Sequence, residues 1–126
     1  MTVTVNEYAI EDLLEKELCG RYRLYNSIYD EIKQKPYDLA VVDRVNVEVE
    51  NGTGQEFTYG ECEYLHLIPL LRFIKPKAGE VIYDLGCGTA KPLAIAALEF
   101  PDLKMCTGIE LLPQLFDLGK KTLDDL

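Results

Sequence analysis

The sequence predicts a mixed α/β fold whose C-terminal part contains a parallel sheet. After residue 80, two β-rich runs alternate with two helical runs, in the order β-α-β-α. Pro92 and Pro113 each stand where one of these helices would begin. Proline is tolerated there, because an N–H in the first turn of a helix has no acceptor within the helix. Strands that alternate with helices in this way pair in parallel through right-handed crossovers.

Two helices are predicted in the N-terminal part of the chain. The first covers about residues 6–18, with leucine and isoleucine at helical spacing and Gly20 as its stop. The second covers about residues 21–34 and ends before Pro36, because a residue that precedes proline disfavours the helical conformation. Its apolar stripe, which we expect in the core, consists of Tyr22, Tyr25, Ile28, Tyr29 and Ile32.

A β-hairpin and a third helix can follow. Residues 45–50 alternate valine with polar residues, and the "NGTG" that comes next has the composition of a turn. Helix is predicted to resume near Glu61 and to reach about Ile74, with a kink or a break at Pro69.

The β-α-β-α series begins after the polar turn "KPKAGE". Its strands and helices, in chain order, are predicted over residues 80–85, 91–100, 103–111 and 112–126. These patterns divide the chain into an N-terminal helical region with the hairpin, residues 1–55, and an α/β region, residues 56–126.

Composition limits the classes of function. With 126 residues, of which 48% are hydrophobic, the chain is one domain or part of a larger one, and it has enough apolar residues for a core. Its net charge of −9 argues against direct nucleic-acid binding and leaves a basic protein as a partner. No apolar run is long enough to span a membrane, and the acidic N-terminus differs from a secretion signal. We therefore expect an intracellular protein, in the nucleus or the cytoplasm.

The cysteines and the histidine do not suggest a metal site. The four cysteines are scattered without a CxxC, and the single histidine, His66, stands in the apolar run "YLHLIPLL". Structural metal sites need clustered ligands at short spacing. We therefore predict reduced thiols, no metal, and a packing role for His66 in its helix.

The segment "VIYDLGCGTAKP" is the centre of the predicted site. Asp84 ends the first strand, Gly86 and Gly88 follow in the loop, and the next helix points its positive end at that loop. Glu110 lies 22 residues after Gly88, at the end of the second strand. An acid in this position can accept hydrogen bonds from the ribose hydroxyls of an adenosine. The pattern is typical of a nucleotide-like cofactor.

The loop does not fit the dinucleotide fingerprint. That fingerprint requires G-x-G-x-x-G, and Lys91 occupies the place of the third glycine. A nicotinamide-dependent oxidoreductase is therefore the weaker reading. The alternative pattern, an acid followed by G-x-G-x-G, is met apart from Ala90, a replacement that is mild if the φ angle there is negative.

With its acid and its glycines, the loop resembles the first motif of class I S-adenosylmethionine-dependent methyltransferases. The resemblance implies a Rossmann-like sheet, of which this chain would supply a β-α-β-α part. It also implies that Asp84 lies near the methionine end of S-adenosylmethionine, that Gly86, Cys87 and Gly88 pass beside that end, and that Glu110 holds the ribose.

A second motif narrows the resemblance. The segment "FTYGE" stands upstream of the glycine loop, and its last residue, Glu61, is 23 residues before Asp84. It is similar to the loop that precedes the glycine motif in the disruptor-of-telomeric-silencing family of histone-lysine methyltransferases. By that likeness Tyr59, Gly60 and Glu61 shape a lid over the methyl donor, and the methyl acceptor is a protein lysine, for example in a histone. The local chemistry by itself leaves arginine, a small molecule and RNA open as acceptors.

This sequence departs from that family at three places. Cys62 replaces the usual threonine, and Ala90 and Lys91 replace the usual glycine and glutamine. Lys91 adds a positive charge near a donor that is itself a sulfonium. We assign no catalytic residue.

The resemblance also implies a sheet of about seven strands, of which this chain supplies two. We therefore expect the N-terminal half of a methyltransferase, either as a fragment, as a natural truncation, or as a chain that associates with another copy through the open edge of its sheet. The alternative function is a non-catalytic donor-binding or degenerate module that acts through protein contacts.

Overall fold

A computed structural model describes residues 16–18, 20–32, 35–46 and 59–126, without the side chains of residues 44–46. The start of the predicted first helix and most of the predicted hairpin lie outside these residues. Residues 16–18 are helical. The remaining elements are α1 (Arg21–Asp30), α2 (Pro36–Asn46), α3 (Tyr64–Ile74), β1 (Val81–Leu85), α4 (Lys91–Glu99), β2 (Met105–Ile109) and α5 (Pro113–Asp124).

The two strands form a parallel pair, as predicted. Val81 lies opposite Met105, and the register continues to Leu85 opposite Ile109. Helix α4 connects the strands, so the β-α-β-α order is confirmed in the described part of the chain. This arrangement is a mixed α/β fold with a two-stranded parallel sheet.

The core lies between one face of this sheet and the helices. Ile82 of β1 and Cys106 of β2 point to this side and pack against the buried cluster. Ile95 of α4 is fully buried there. The tyrosine stripe predicted for α1 contributes as expected, since Tyr25 and Tyr29 are buried and their rings lie 4.6 Å apart.

The structure adds a helix over residues 36–46 that the sequence analysis did not predict. The valine alternation predicted a strand from Val45 onward, but Val45 lies near the end of helix α2. Pro36 begins this helix and Asp38 stands in its first turn, where a negative charge is favourable. Ala40 on the same helix is buried to 2% exposure, so tertiary packing stabilises a helix that the sequence pattern missed.

Three smaller predictions about the helices are wrong. Helix α1 ends at Asp30, before the predicted limit of residue 34. Helix α3 begins at Tyr64, after the predicted start near Glu61, and it continues through Pro69, so of the predicted kink or break the break does not occur. His66 is exposed on this helix and does not pack in the core, because it lies on the face turned to solvent. Within the described ranges, no helix has the length and apolar character that crossing a bilayer requires.

Candidate functional site

The glycine loop lies at the carboxyl end of the two strands, where β1 passes into α4. Gly86 and Gly88 both have positive φ, at 85° and 54°, which explains why glycine stands at these positions. The amides of Gly86 and Cys87 donate to the carbonyl oxygen of Ile109 at 2.7 and 3.1 Å. The end of β2 therefore fixes the first half of the loop.

Glu110 fixes the second half of the loop. Its Oε2 accepts a hydrogen bond of 2.7 Å from the amide of Gly88, across the 22 residues noted in the sequence. Its Oε1 accepts from the amides of Leu111 and Leu112 at 2.7 and 2.8 Å, immediately before α5. A carboxylate has about four acceptor positions, so three are used and about one stays free for a ligand hydroxyl.

Asp84 carries the buried polar atom that lacks a partner in this region. Among the described residues, its Oδ2 is buried and accepts no hydrogen bond. Burial raises the pKa of the Asp84 carboxyl, and the nearby carboxylate of Glu110 raises it further. Burial also raises the pKa of the Cys87 thiol, and Asp84 and Glu110 act in the same direction. Two acids and a neutral thiol thus lie together at the strand ends.

Tyr59 lies directly against the glycine loop. A Cβ atom added to Gly88 would come within 2.6 Å of Cε2 of the Tyr59 ring, a distance that real side chains do not tolerate. Gly88 is therefore needed both for its φ angle and for this contact. The structure brings the Tyr59 segment and the glycine loop together although 28 residues separate them in the chain.

Glu61 joins the same segment to helix α4. Its carboxylate accepts hydrogen bonds from the hydroxyl of Tyr59, from Oγ1 of Thr89 at 3.3 Å and from Nζ of Lys91 at 2.7 Å. The Glu61 and Lys91 side chains are only 13% and 16% exposed, so this ion pair is largely shielded from water. Burial raises the pKa of Glu61, but Lys91 and Tyr59 outweigh it, and the pKa is lowered overall.

Lys91 has a different electrostatic role from the one its sequence position suggests. The sequence predicted an added positive charge beside the ligand, whereas the Glu61 carboxylate neutralises Lys91 at 2.7 Å. The ammonium also lies 5.6 Å from the centre of the Tyr29 ring.

Sequence reasoning missed two contributors to the site. The hydroxyl of Tyr29 donates to the carbonyl oxygen of Thr89 at 3.1 Å. The sequence pattern places Tyr29 only in the apolar stripe of α1 and predicts no role for Thr89. The available signal for Thr89 was its place in the loop, directly after Gly88 and two residues before Lys91. No local signal in the sequence marks Tyr29.

Ala90 does not have the negative φ angle that would make its replacement of glycine mild. Its φ is 66°, in the left-handed region, where an L-residue costs about 1 to 2 kcal/mol. In this conformation its amide donates to the carbonyl oxygen of Cys87 at 2.8 Å, and its carbonyl oxygen accepts from the amide of Ala94 at 3.0 Å. The loop therefore keeps the backbone course of a glycine with an alanine in place.

The predicted site residues come together with one exception. The eight residues are Tyr59, Gly60, Glu61, Asp84, Gly86, Cys87, Gly88 and Glu110, and all except Gly60 take part in the contacts described above or lie in the loop itself. Gly60 is exposed, and a Cβ added there would meet no atom within 4 Å. Within the described residues, no group of three or more potential metal ligands is assembled.

Two cavities lie away from the loop. A cavity of about 660 Å³ lies between α1 and α5, and its lining includes Ser27, Glu31 and Lys121. A cavity of about 270 Å³, lined by apolar side chains such as Leu103 and Leu123, lies beside β2. The loop itself is closed by the Tyr59 ring, so a ligand there has to displace that ring or lie beside it.

Comparisons with protein-family models, with curated proteins and with solved structures found no match.

Proposed function

We propose that this chain binds S-adenosylmethionine at the glycine loop, as the donor-binding part of a methyltransferase that acts on protein lysine. The observation that carries the proposal is the pair of acids at the strand ends. Asp84 has a buried carboxylate oxygen without a partner in the described part of the chain, and Glu110 has about one acceptor position left.

The chemistry of these groups suits the donor. S-adenosylmethionine carries an ammonium group at its amino-acid end, which would satisfy the unpaired oxygen of Asp84. It carries ribose hydroxyls, of which one can donate to Glu110 without breaking a bond that the carboxylate now makes. When bound, the donor supplies an electrophilic methyl group on sulfur, and the chain's own residues bind and orient it.

The Tyr59 segment would control access to the loop. Its ring covers Gly88, and Glu61 holds the segment to Lys91. Entry of the donor would move the ring away from Gly88, and the ring could then close over the bound molecule and exclude water. Since Glu61 neutralises Lys91, the lysine would not repel the positive sulfur as long as this ion pair lasts.

An acidic chain suits a basic acceptor. The net charge of −9 would attract a lysine-rich segment such as a histone tail, which is the acceptor that the "FTYGE" resemblance implies. The location would then be the nucleus or the cytoplasm.

Calorimetric titration of S-adenosylmethionine into the chain tests donor binding. We expect saturable binding by the parent and at least tenfold weaker binding by Asp84→Asn, which keeps the shape of the side chain but removes its charge. Asp117→Asn is the matched control, because Asp117 is an exposed acid on α5. No heat with the folded parent, or equal affinity of parent and Asp84→Asn, would contradict the proposal.

A second measurement separates the remaining functions. Equilibrium dialysis with a competing nicotinamide dinucleotide distinguishes the two cofactor classes, and the dinucleotide should not displace the methyl donor.

Transfer of a labelled methyl group to nucleosomes or bulk protein reports catalysis. Donor binding without transfer would favour the non-catalytic module, for which the strained Ala90 is the specific supporting observation.

A further inference from the structure

One face of the two-stranded sheet is apolar and exposed. Parallel register places alternate residues of both strands on this side, and we call it the sheet face: Val81, Tyr83, Leu85, Met105, Thr107 and Ile109. Tyr83 is 64% exposed, Leu85 78%, Met105 45% and Ile109 59%. Such exposure is unusual because parallel strands occur almost only where both of their faces are covered.

The opposite side of the same strands shows the normal situation. Ile82 and Cys106 on that side pack against the core cluster, and α4 lies over them. The sheet face is also apolar, but no described helix lies over it. Its side chains are of the type that packs against another layer of structure.

The size of the sheet face suits a small, weak interface. Large side chains exposed to this degree present on the order of 100 Å² each, so the four most exposed ones present roughly 400 Å². The largest apolar patch on a typical monomer covers about 300 to 600 Å² and is often functional. A standard interface buries about 800 Å² per partner, so two such patches would bury about half of a standard interface, which corresponds to a weak association.

Charge indicates which partner fits. The six side chains of the sheet face are all uncharged, whereas the chain as a whole carries −9. A basic protein would find no acidic group on this face to pair with. Two copies of the chain repel each other over most of their surfaces, and an uncharged apolar face is where they can meet without opposing like charges.

We infer that the sheet face packs against the sheet face of a second copy of this chain, which gives a symmetric dimer. Two sheets stacked in this way lie about 10 Å apart, with their side chains interdigitated. Tyr83 is the middle residue of β1 and lies close to the two-fold axis. The association is through the face and differs from pairing at the edge of the sheet, which would leave these side chains exposed.

Sedimentation of the full chain over micromolar to millimolar concentrations tests the dimer. We expect a reversible monomer–dimer equilibrium that strengthens with added salt, because salt screens the repulsion between acidic chains. Met105→Lys should weaken dimerisation at least tenfold. Leu24→Lys is the matched control, since Leu24 is 44% exposed against 45% for Met105 but lies on α1, on the helix side of the sheet.

Ile109→Lys distinguishes the face from the edge. Ile109 belongs to β2, so a dimer formed through the outer edge of β1 would be unaffected by this change, and one formed through the outer edge of β2 would be unaffected by Leu85→Lys on β1. A face-to-face dimer would dissociate with either change. Circular dichroism establishes that each variant is folded, and Leu85→Lys, at the most exposed position of the face, replaces any variant that is not. A monomer at every concentration, an effect of Leu24→Lys equal to that of Met105→Lys, or a dimer that tolerates Ile109→Lys would overturn the inference.

Discussion

Ala90 concentrates the backbone strain of the glycine loop in one residue. Its left-handed φ of 66° follows from the tight passage between the loop and α4, and its methyl group is buried to 2% exposure. The strain and the buried methyl act in opposite directions on the free energy of unfolding. A glycine here removes about 1 to 2 kcal/mol of strain but loses a buried methyl group worth about 0.8 kcal/mol.

Ala90→Gly is therefore expected to leave the free energy of unfolding within about 0.5 kcal/mol of the parent or to raise it. Ala94→Gly is the control, since Ala94 is equally buried at 1% exposure but lies inside the right-handed helix α4. It loses the same methyl group and also helix propensity, so it should destabilise by about 2 kcal/mol. Urea denaturation measures both variants, and equal losses would show that the φ angle of Ala90 carries no strain.

Asp84 and Glu61 affect stability in opposite directions as pH changes. The folded-state pKa of Asp84 is raised, so the folded protein favours its protonated form and loses stability as pH rises through that pKa. The pKa of Glu61 is lowered, so its ionised form stabilises the fold above its usual range, and this contribution is lost as pH falls through the lowered value.

We predict that Asp84→Asn raises the melting temperature at neutral pH by a few degrees, because it removes a buried charge without a partner. The gain should disappear as pH falls below the usual range of an aspartate. Glu61→Gln should lower the melting temperature at neutral pH, since Lys91 loses its partner at 2.7 Å and keeps only the more distant and more exposed Glu63 at 3.9 Å. Melting curves between pH 3 and pH 7 measure both, and a less stable Asp84→Asn at neutral pH would contradict the account of Asp84.

At the scale of the elements, helix α5 supports the glycine loop by close backbone contact. A Cβ atom added to Gly119 of α5 would come within 2.9 Å of the carbonyl oxygen of Gly88 and 3.1 Å of the carbonyl carbon of Thr89. The atoms in the way are backbone, which cannot rotate aside. Glu110 acts on the same junction, because it binds the amide of Gly88 and the two amides that precede α5.

Gly119→Ala should therefore destabilise the fold by about 1 to 2 kcal/mol, although alanine is the better helix former by about 1 kcal/mol. Lys120→Ala, on the exposed side of the same helix, should change stability by less than about 0.5 kcal/mol. Urea denaturation gives both values. A stabilised Gly119→Ala would mean that α5 can move away from the loop at no cost.

A second inter-element contact links the Tyr59 segment to α4. The Glu61–Lys91 ion pair spans 30 residues and is more shielded than the pair of Arg72 with Glu17, whose side chains are about half exposed. Shielded pairs depend more strongly on both partners being present. The segment before α3 and the start of α4 thus form one unit around Thr89.

At the scale of the whole molecule, the helices cover one side of the sheet, and none of the described elements covers the other side. Leu85 and Ile109 are the last residues of the two strands, so the sheet face ends where the glycine loop begins. Donor binding and dimerisation would therefore take place at neighbouring parts of the same sheet, and the charge of −9 disfavours contact between two copies through surfaces that carry acids.

Much of the fold and of the candidate site was predictable because its signals are local. The apolar runs around Ile82 and Ile95 have strand and helix lengths, and Pro92 and Pro113 mark where helices begin. The 22 residues from Gly88 to Glu110 correspond to one helix and one strand, which bring the chain back to the same end of the sheet. The hydrogen bond of 2.7 Å between these two residues therefore follows from that spacing. Helix α2 was not predicted, and at its end Val45 also starts a valine alternation that favours strand.

The sequence by itself determined the β-α-β-α order, the parallel pairing and the acid at the end of each strand, since periodicity, glycine and proline act within a few residues. Only the tertiary structure decided that Glu61 neutralises Lys91, that Tyr59 covers Gly88, that Asp84 Oδ2 is left without a partner in the described part of the chain, and that the sheet face is exposed. These features depend on which distant segments meet, and burial, ion pairing and hydrogen bonding between such segments leave no periodic pattern in the chain.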